Sequence, residues 1–407
     1  MRMPENPQIS VIIPTLRAEA DLVAALESLA SDEEAPPHEV LVVLNTIRPQ
    51  DIDFAAHHPN CRPIQADTNL GFAAACDTGA REASGETLAF LNDDATVRPG
   101  WLRALLSALE STEYPAVGGM ILTEDGKKVD FAGGSINLLG WGFQLGHGEK
   151  FQKEEFVVPK RTPFACGGNF AIRTEVFLAA GGFDEDYFAF YEDVDLGWRL
   201  GLLGHQMGYV PEAVVFHKGG ATGAAIPSSL KWFLQERNAL QTIIKNYSDE
   251  ILRQVLPIAF ALVGVRAQVL SGLEISDIAP DRTWREWILG EQRPIEAKES
   301  GVWRGMLDSV KESLKAGMKE ARKASLPEGY LAIESRGAAG PAALEWCLGN
   351  WENLMDKRQL VQAFRVKSDY EVLPLFDDPL RPVLGHPREV EAMKPLESIL
   401  SVMMKGQ

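Results

Sequence analysis

The strongest constraint on the fold is an alternation, over residues 1 to about 220, of short β-branched runs with amphipathic stretches. Ile9 to Ile13 reads as a buried strand, and the segment after it places Leu22, Leu26 and Leu29 on one helical face. Val40 to Leu44 reads as a second strand, Ala73 to Ala83 as a helix and Leu88 to Leu91 as a third strand. Pro99 suits the first turn of another helix, where its missing N–H costs nothing. Trp101, Leu102, Leu105, Leu106 and Leu109 give that helix an apolar face. This order predicts an α/β, doubly wound and mostly parallel sheet. Ligands of such sheets gather at the carboxyl ends of the strands, so polar residues there are the first candidates for a site.

From Gly118 to Pro163 the pattern weakens into Gly-rich sequence, including Gly133-Gly134 and GWGFQLGHG at 140–148. The glycines lack the G-x-G-x-x-G order after a clear strand, so a flap or a run of turns is expected there and not a dinucleotide loop. Regular structure returns with a strand at Phe170 to Arg173, helices from Glu175 to Ala180 and Val194 to Leu203, and a strand from Ala213 to Phe216 that ends at His217. Beyond Gly223, Leu230, Phe233, Leu234, Leu240, Ile243, Ile244 and Tyr247 recur at helical spacing. A boundary near 222–228 divides the chain into an α/β unit, 1–225, where ligands would bind, and a mainly helical region, 226–407, for partner, membrane-surface or oligomer contacts.

The 407 residues exceed the usual size of one hydrophobic core, and 45% hydrophobic with 24% charged residues is an ordinary globular composition. A net charge of −17 argues against nucleic acid as partner. It allows a nucleotide, because a divalent cation neutralises a diphosphate locally. Four cysteines without a C-x-x-C pair point to reduced thiols and not to a disulfide frame or zinc site. The first residues lack signal-peptide anatomy, and the most apolar run, Val255 to Val265, contains Pro257 and ends at Arg266. The expectation is a cytoplasmic protein without a spanning segment, free to lie at the inner face of the membrane and to self-associate.

Three places could carry chemistry. Asn92-Asp93-Asp94 directly follows a strand; carboxylates there can hold Mg²⁺ or Mn²⁺ while phosphate oxygens fill the remaining positions. The plainer alternative is a polar turn. Glu192, Asp193 and Asp195 crowd the start of the helix containing Trp198. Asp193 could serve simply as N-cap, but crowding acids raises the pKa of at least one, which is how a carboxylate becomes a useful proton acceptor. His217 ends an apolar strand and is either a ligand or a satisfied polar residue. The other histidines suggest no dyad or zinc spacing.

The order of these segments resembles the family 2 glycosyltransferases, especially bacterial rhamnosyltransferase-like members. The matching stretches are SVIIPT at 10–15, NLGFAAACDTGAR at 69–81, LNDDATVRPGWL at 91–102, GGFDEDYFAFYEDVDLGWRL at 181–200 and VVFHKGG at 214–220. The resemblance implies a GT-A fold and assigns Asp94 to the metal, with His217 completing its shell. It assigns Asn92 and Asp93 to the ribose or sugar of the donor, and Pro14, Thr15, Arg17, Asn45, Asn69 and Gly71 to nucleotide-facing loops. It gives Asp193 the role of general base with Glu192 as acidic partner, and puts Gly168, Asn169 and Trp198 on the acceptor side. Two departures stand out: Asn92 occupies a position where many members have Asp, and Leu44 one where members often place a base-reading Asp.

These assignments imply an inverting, metal-dependent transfer from a nucleotide diphosphate sugar, UDP- or dTDP-linked with rhamnose among the sugars, to a hydroxyl of a glycan, lipid-linked or protein acceptor. Such a transfer requires no serine or cysteine nucleophile. A nucleotidyltransferase would want a Gly-rich basic loop after the first strand, where Pro14-Thr15-Leu16-Arg17 stands. A non-catalytic sugar-nucleotide binder is the other alternative, opposed by the intact Asp94, Asp193 and His217. In the C-terminal third, Arg237, Asn238 and the stretch 357–376 resemble family tails without catalytic residues. Trp284, Trp287, Trp303, Trp346 and Trp351 read as core or interface. The stripe Leu307, Val310, Leu314 and Met318, beside Lys311, Lys315, Lys319 and Arg322, reads as a packing helix.

Overall fold

A computed structural model describes residues 6–16, 20–46, 52–111, 114–219, 226–272 and 328–405. Arg17, Trp284, Trp287, Trp303 and the stripe from Leu307 to Arg322 lie outside the described residues, as does most of the boundary read at 222–228.

The chain opens with β1 (Ile9–Thr15), α1 (Ala20–Ala30), β2 (His38–Leu44), the single turn α2 (Phe54–His57), β3 (Cys61–Gln65), α3 (Gly71–Arg81) and β4 (Thr87–Leu91). β1 pairs in parallel with β2 and β4, and β2 with β3. Every residue of β1 and β2 is buried, which is why both read as unbroken apolar runs and not as an alternation. After β5 (Ala95–Val97), α4 (Trp101–Ser111) buries Trp101, Leu102, Leu105 and Leu109. Each such side chain contributes about 1.5–3 kcal/mol of hydrophobic stabilisation.

The Gly-rich stretch holds the expected turns, but between them it forms short strands. It supplies β6 (Ala116–Thr123), β7 (Val129–Phe131), β8 (Gly134–Ile136), β9 (Gly142–Gln144), the turn α5 (Lys153–Phe156) and β10 (Lys160–Thr162). Gly118 and Gly119 answer to packing: a Cβ on Gly119 would lie 2.0 Å from the Ala213 carbonyl, and one on Gly118 2.4 Å from the Ala165 methyl. Gly126, Gly133, Gly140, Gly146 and Gly148 instead take positive φ between the strands. β11 (Asn169–Arg173), α6 (Thr174–Ala179), α7 (Glu192–Leu202) and β12 (Met207–His217) complete this part. The main path runs β10-β12-β6-β11-β4-β1-β2-β3. Along it only β10 and β11 oppose the other strands, so the expected mostly parallel α/β sheet is present, as a mixed one.

The described residues after Ser228 form helices: α8 (Ser228–Asn246), α9 (Asp249–Ser271), α10 (Glu328–Gly349), α11 (Trp351–Phe364), the turn α12 (Asp369–Val372) and α13 (Pro387–Lys405). Pro257 does not break the apolar run; it sits inside α9, whose length and composition alone would allow it to cross a membrane. The buried Arg266 on α9 instead ties it to the protein, pairing with Glu236 of α8 and Glu389 of α13. The segment before α13 runs along the β8–β9 hairpin, where Ile136 N–H donates to the Phe376 carbonyl at 3.0 Å and Leu138 N–H to that of Pro379 at 2.8 Å.

Candidate active site

A cleft of about 1250 Å³ opens at the carboxyl ends of β1, β2, β4 and β12. Pro14, Thr15, Asn45, Asn69 and Gly71 line one end, Asn92, Asp93, Asp94 and His217 the floor, and Gly168, Glu192 and Asp193 the far side. Residues 14 to 217 thus converge because parallel strands deliver their carboxyl ends to one edge.

His217 is the centre of the floor. Its Nε2 lies 3.0 Å from Asp94 Oδ1, and its Nδ1 2.8 Å from Asp130 Oδ2. Burial favours neutral imidazole, but hydrogen bonds to Asp130 and Asp94 prevail and lift its pKa to about 10. Asp130 also accepts from His147 Nδ1 at 2.9 Å. Were a cation to displace the Nε2 proton, the Asp130 carboxylate would keep Nδ1 protonated and so leave Nε2 as the atom a metal could take. Cis positions of an octahedral Mg²⁺ or Mn²⁺ with ~2.1 Å bonds lie about 3 Å apart, matching the His217–Asp94 spacing. Among the described residues no group of three or more His, Cys, Asp or Glu could hold a metal ion, so a cation here would need substrate oxygens or water beside Asp94 and His217. Sequence reasoning does not find Asp130 and His147: they stand 87 and 70 positions from His217, with no local spacing to mark them.

Asp93, beside Asp94, has its pKa raised to about 6 by burial, against the hydrogen bond from Thr15. Asn92 Nδ2 lies 3.4 Å from His217 Nε2. Gly168 makes room for it, since a Cβ there would be 2.7 Å from that nitrogen. Asn45 accepts from Leu70 N–H at 2.7 Å and donates to the Gly71 carbonyl at 2.9 Å, so its amide fixes the 69–71 loop. Leu44 is buried, as its apolar side chain dictates.

Across the cleft, Tyr191 and not Asp193 is the N-cap of α7, in a left-handed conformation. Asp193 lies in the first turn. Its Oδ2 accepts from Gly167 N–H at 3.1 Å and its Oδ1 from Val194 N–H at 2.8 Å. Burial nevertheless lifts its pKa to about 6. Glu192 is shifted up further, by burial and then by Asp193, and its Oε2 has no partner. The two carboxyls therefore titrate as one pair, both held up by burial and Glu192 also by the Asp193 charge. Asp195 differs: Lys245 at 3.0 Å and Arg199 at 2.8 Å outweigh its burial and hold its pKa down, which makes it a structural ion pair.

Two acceptor-side expectations fail. Asn169 is fully buried; it donates to the carbonyls of Met120 and Ala213 and accepts from Trp101 Nε1 at 2.8 Å, fastening β11, β6 and α4. Trp198 faces away from the cleft, edge-on to Tyr247 and Phe376 at ring distances of 4.8 and 4.7 Å.

The loop before α7 is strained: Phe188, Phe190 and Tyr191 have φ of 62°, 68° and 68°. Asn238 on α8 holds it, its Nδ2 lying 3.1, 2.9 and 2.5 Å from the carbonyls of Tyr187, Ala189 and Phe190. Arg237 adds bonds to the carbonyls of Asp186 at 2.9 Å and Tyr187 at 2.7 Å. A second cavity, about 460 Å³, lies behind this loop, but its arginines and lysines pair with Glu185, Asp184, Asp186, Asp195 and Asp369.

Residues 10–179 match the model for glycosyl transferase family 2. An N-acetylglucosaminyl-diphospho-decaprenol L-rhamnosyltransferase of Mycobacterium tuberculosis is 32% identical over 214 residues, 45% of this chain and 69% of that protein. The chain belongs to glycosyltransferase family 2. The α/β sheet is accordingly of GT-A type. The O-antigen biosynthesis protein RfbC of Myxococcus xanthus is 31% identical over 248 residues, 56% of this chain; the chain spans only 19% of that protein. Among solved structures, GalNAc-T7 with UDP, GalNAc and Mn²⁺ aligns with a TM-score of 0.47 and 16% identity, over 69% of this chain and 54% of that one.

Proposed function

We propose that this family 2 glycosyltransferase transfers a sugar, rhamnose among the candidates, from a UDP- or dTDP-sugar to an acceptor hydroxyl with inversion, using Mg²⁺ or Mn²⁺. The observation that carries this reading is the pairing, across one cleft, of a cation-ready Asp94–His217 pair with a half-buried Asp193 poised to accept a proton.

Asp94 and His217 would hold the cation, and Asp130 would orient His217. When bound, the cation supplies positive charge to the departing diphosphate. Thr15, Asn92 and Asp93 bind the nucleotide and sugar of the donor. Asp193, fixed by the Gly167 and Val194 amides, takes the proton of the acceptor hydroxyl as its oxygen bonds to the anomeric carbon. The bond from that carbon to the diphosphate oxygen breaks on the opposite face, so configuration inverts. Buried Glu192, its carboxyl held up beside Asp193, is the acidic partner of the base.

Thermal unfolding against nucleotide diphosphate sugars, with and without Mn²⁺, tests this. A ligand that binds only the folded state raises its stability. A Mn²⁺-dependent rise with one or two donors is expected; no rise with any donor would contradict the proposal.

A further inference from the structure

The base side of the cleft carries positive charge that the donor chemistry does not use. Lys231, on the first turns of α8, places its Nζ 5.4 Å from the centre of the Phe190 ring. Arg381 places its guanidinium carbon 4.6 Å from the centre of Phe143. Both line the cleft, as does Gln235, one helical turn beyond Lys231 on the same face. In a chain with 17 excess negative charges, neither has a carboxylate within 4 Å among the described residues. By contrast, the charged groups of the cavity behind the catalytic loop are paired.

Both rings belong to segments that adjoin the proposed base. Phe190 stands two residues before Glu192. Phe143 follows Gly142, where a Cβ would lie 2.4 Å from Val194, so β9 packs against the residue next to Asp193. Arg381 is held there by its backbone: its carbonyl accepts from the buried Asn137 Nδ2 at 2.8 Å, and its N–H donates to the Asp378 carbonyl at 3.2 Å. An aromatic face leaves the guanidinium edge free for bidentate contact with phosphate oxygens, the geometry for which arginine is suited.

We propose that Arg381 and Lys231 form an anion subsite that receives a phosphate or diphosphate group carried by the acceptor. This rests on the transferase reading and narrows its acceptor to a phosphorylated one, with the anion next to the sugar that presents the attacking hydroxyl.

The test is calorimetric titration of the full chain with inorganic pyrophosphate in EDTA, where Asp21, Asp93 and Asp94 repel anions from the other end of the cleft. Wild type should bind, and the Arg381→Ala, Lys231→Ala double variant at least tenfold more weakly. Arg381→Gln and Lys231→Gln alone should each weaken binding, which guards against misfolding of the double variant. Donor-induced thermal shifts with Mn²⁺ should survive in all three. No binding by wild type, undiminished binding by the variants, or loss of the donor shift in them would overturn the assignment; in the last case the cations serve the donor diphosphate. Absence of a donor shift in wild type would instead sink the transferase reading. Glucose 1-phosphate and phosphatidylcholine vesicles bearing farnesyl diphosphate separate a soluble from a lipid-borne acceptor: binding to either supports the subsite, and binding to neither contradicts it.

Discussion

Removing the Asn238 side chain should damage catalysis far more than donor binding. Three residues of one turn, Phe188, Phe190 and Tyr191, are held at positive φ without being glycine. Strain of this kind costs on the order of 1–3 kcal/mol per residue and persists only where surroundings over-determine it. The two hydrogens of Asn238 Nδ2, shared among three carbonyls, contribute about 1 kcal/mol each. Its Oδ1 also accepts from Arg237 Nε at 2.9 Å and Gln241 Nε2 at 2.8 Å, so both donors lose a buried partner in Asn238→Ala. The total, about 4–8 kcal/mol with about 1–3 for each stranded donor, is of the same size as the strain of about 3–9 kcal/mol in the three residues and suffices to let the loop relax. Glu192 and Asp193 directly follow that loop. A displacement of the base by about 1 Å costs on the order of 10²-fold in kcat. Asp94, His217 and Thr15 stand on other elements, so donor affinity should change less than about threefold, a shift of well under 1 kcal/mol. Steady-state transfer and donor titration on a variant that still melts cooperatively would decide the matter. A kcat within threefold of wild type would refute the clamp.

Transfer should show an acid limb near pH 6, because burial raises the Asp193 pKa to about 6 and only its ionised form accepts a proton. The raised pKa works against stability as pH climbs from about 4 to about 6, since the folded state then holds a proton that the unfolded state has released. Asp193→Asn should therefore raise the melting temperature at pH 8 and change it less at pH 4.5; equal shifts at both would contradict the burial argument. Asp130→Ala frees the tautomer of His217 and should weaken Mn²⁺ affinity by about 10–100-fold, read from the Mn²⁺ dependence of the donor-induced thermal shift. Gly71→Ala forces a Cβ to within 2.4 Å of the Phe188 carbonyl at φ +81°, so it should lower stability by more than about 2 kcal/mol in urea unfolding.

The groups legible in the sequence are those that sit where parallel strands end. Asn92 to Asp94 follow β4 and His217 closes β12, so a reading of strands alone delivers them to one edge. The family resemblance supplies the order that joins them to Asp193. Asp130 and His147 are hidden because their stretch is Gly-rich and mixes short strands with turns, Gly118 and Gly119 packing against Ala165 and Ala213 while Gly133, Gly140, Gly146 and Gly148 turn the chain at positive φ. Asn169 and Trp198 sit next to site residues in sequence yet point into the core, which adjacency cannot reveal. Lys231, Asn238 and Arg381 reach the site by contacts across more than forty positions, set by how the helices return to the sheet.

The most direct test of the transferase assignment is to compare Asp193→Asn with wild type using the donor that stabilises the protein. Loss of transfer with retained Mn²⁺-dependent donor binding is the predicted result. Appreciable turnover by the variant would contradict the role of Asp193 as base.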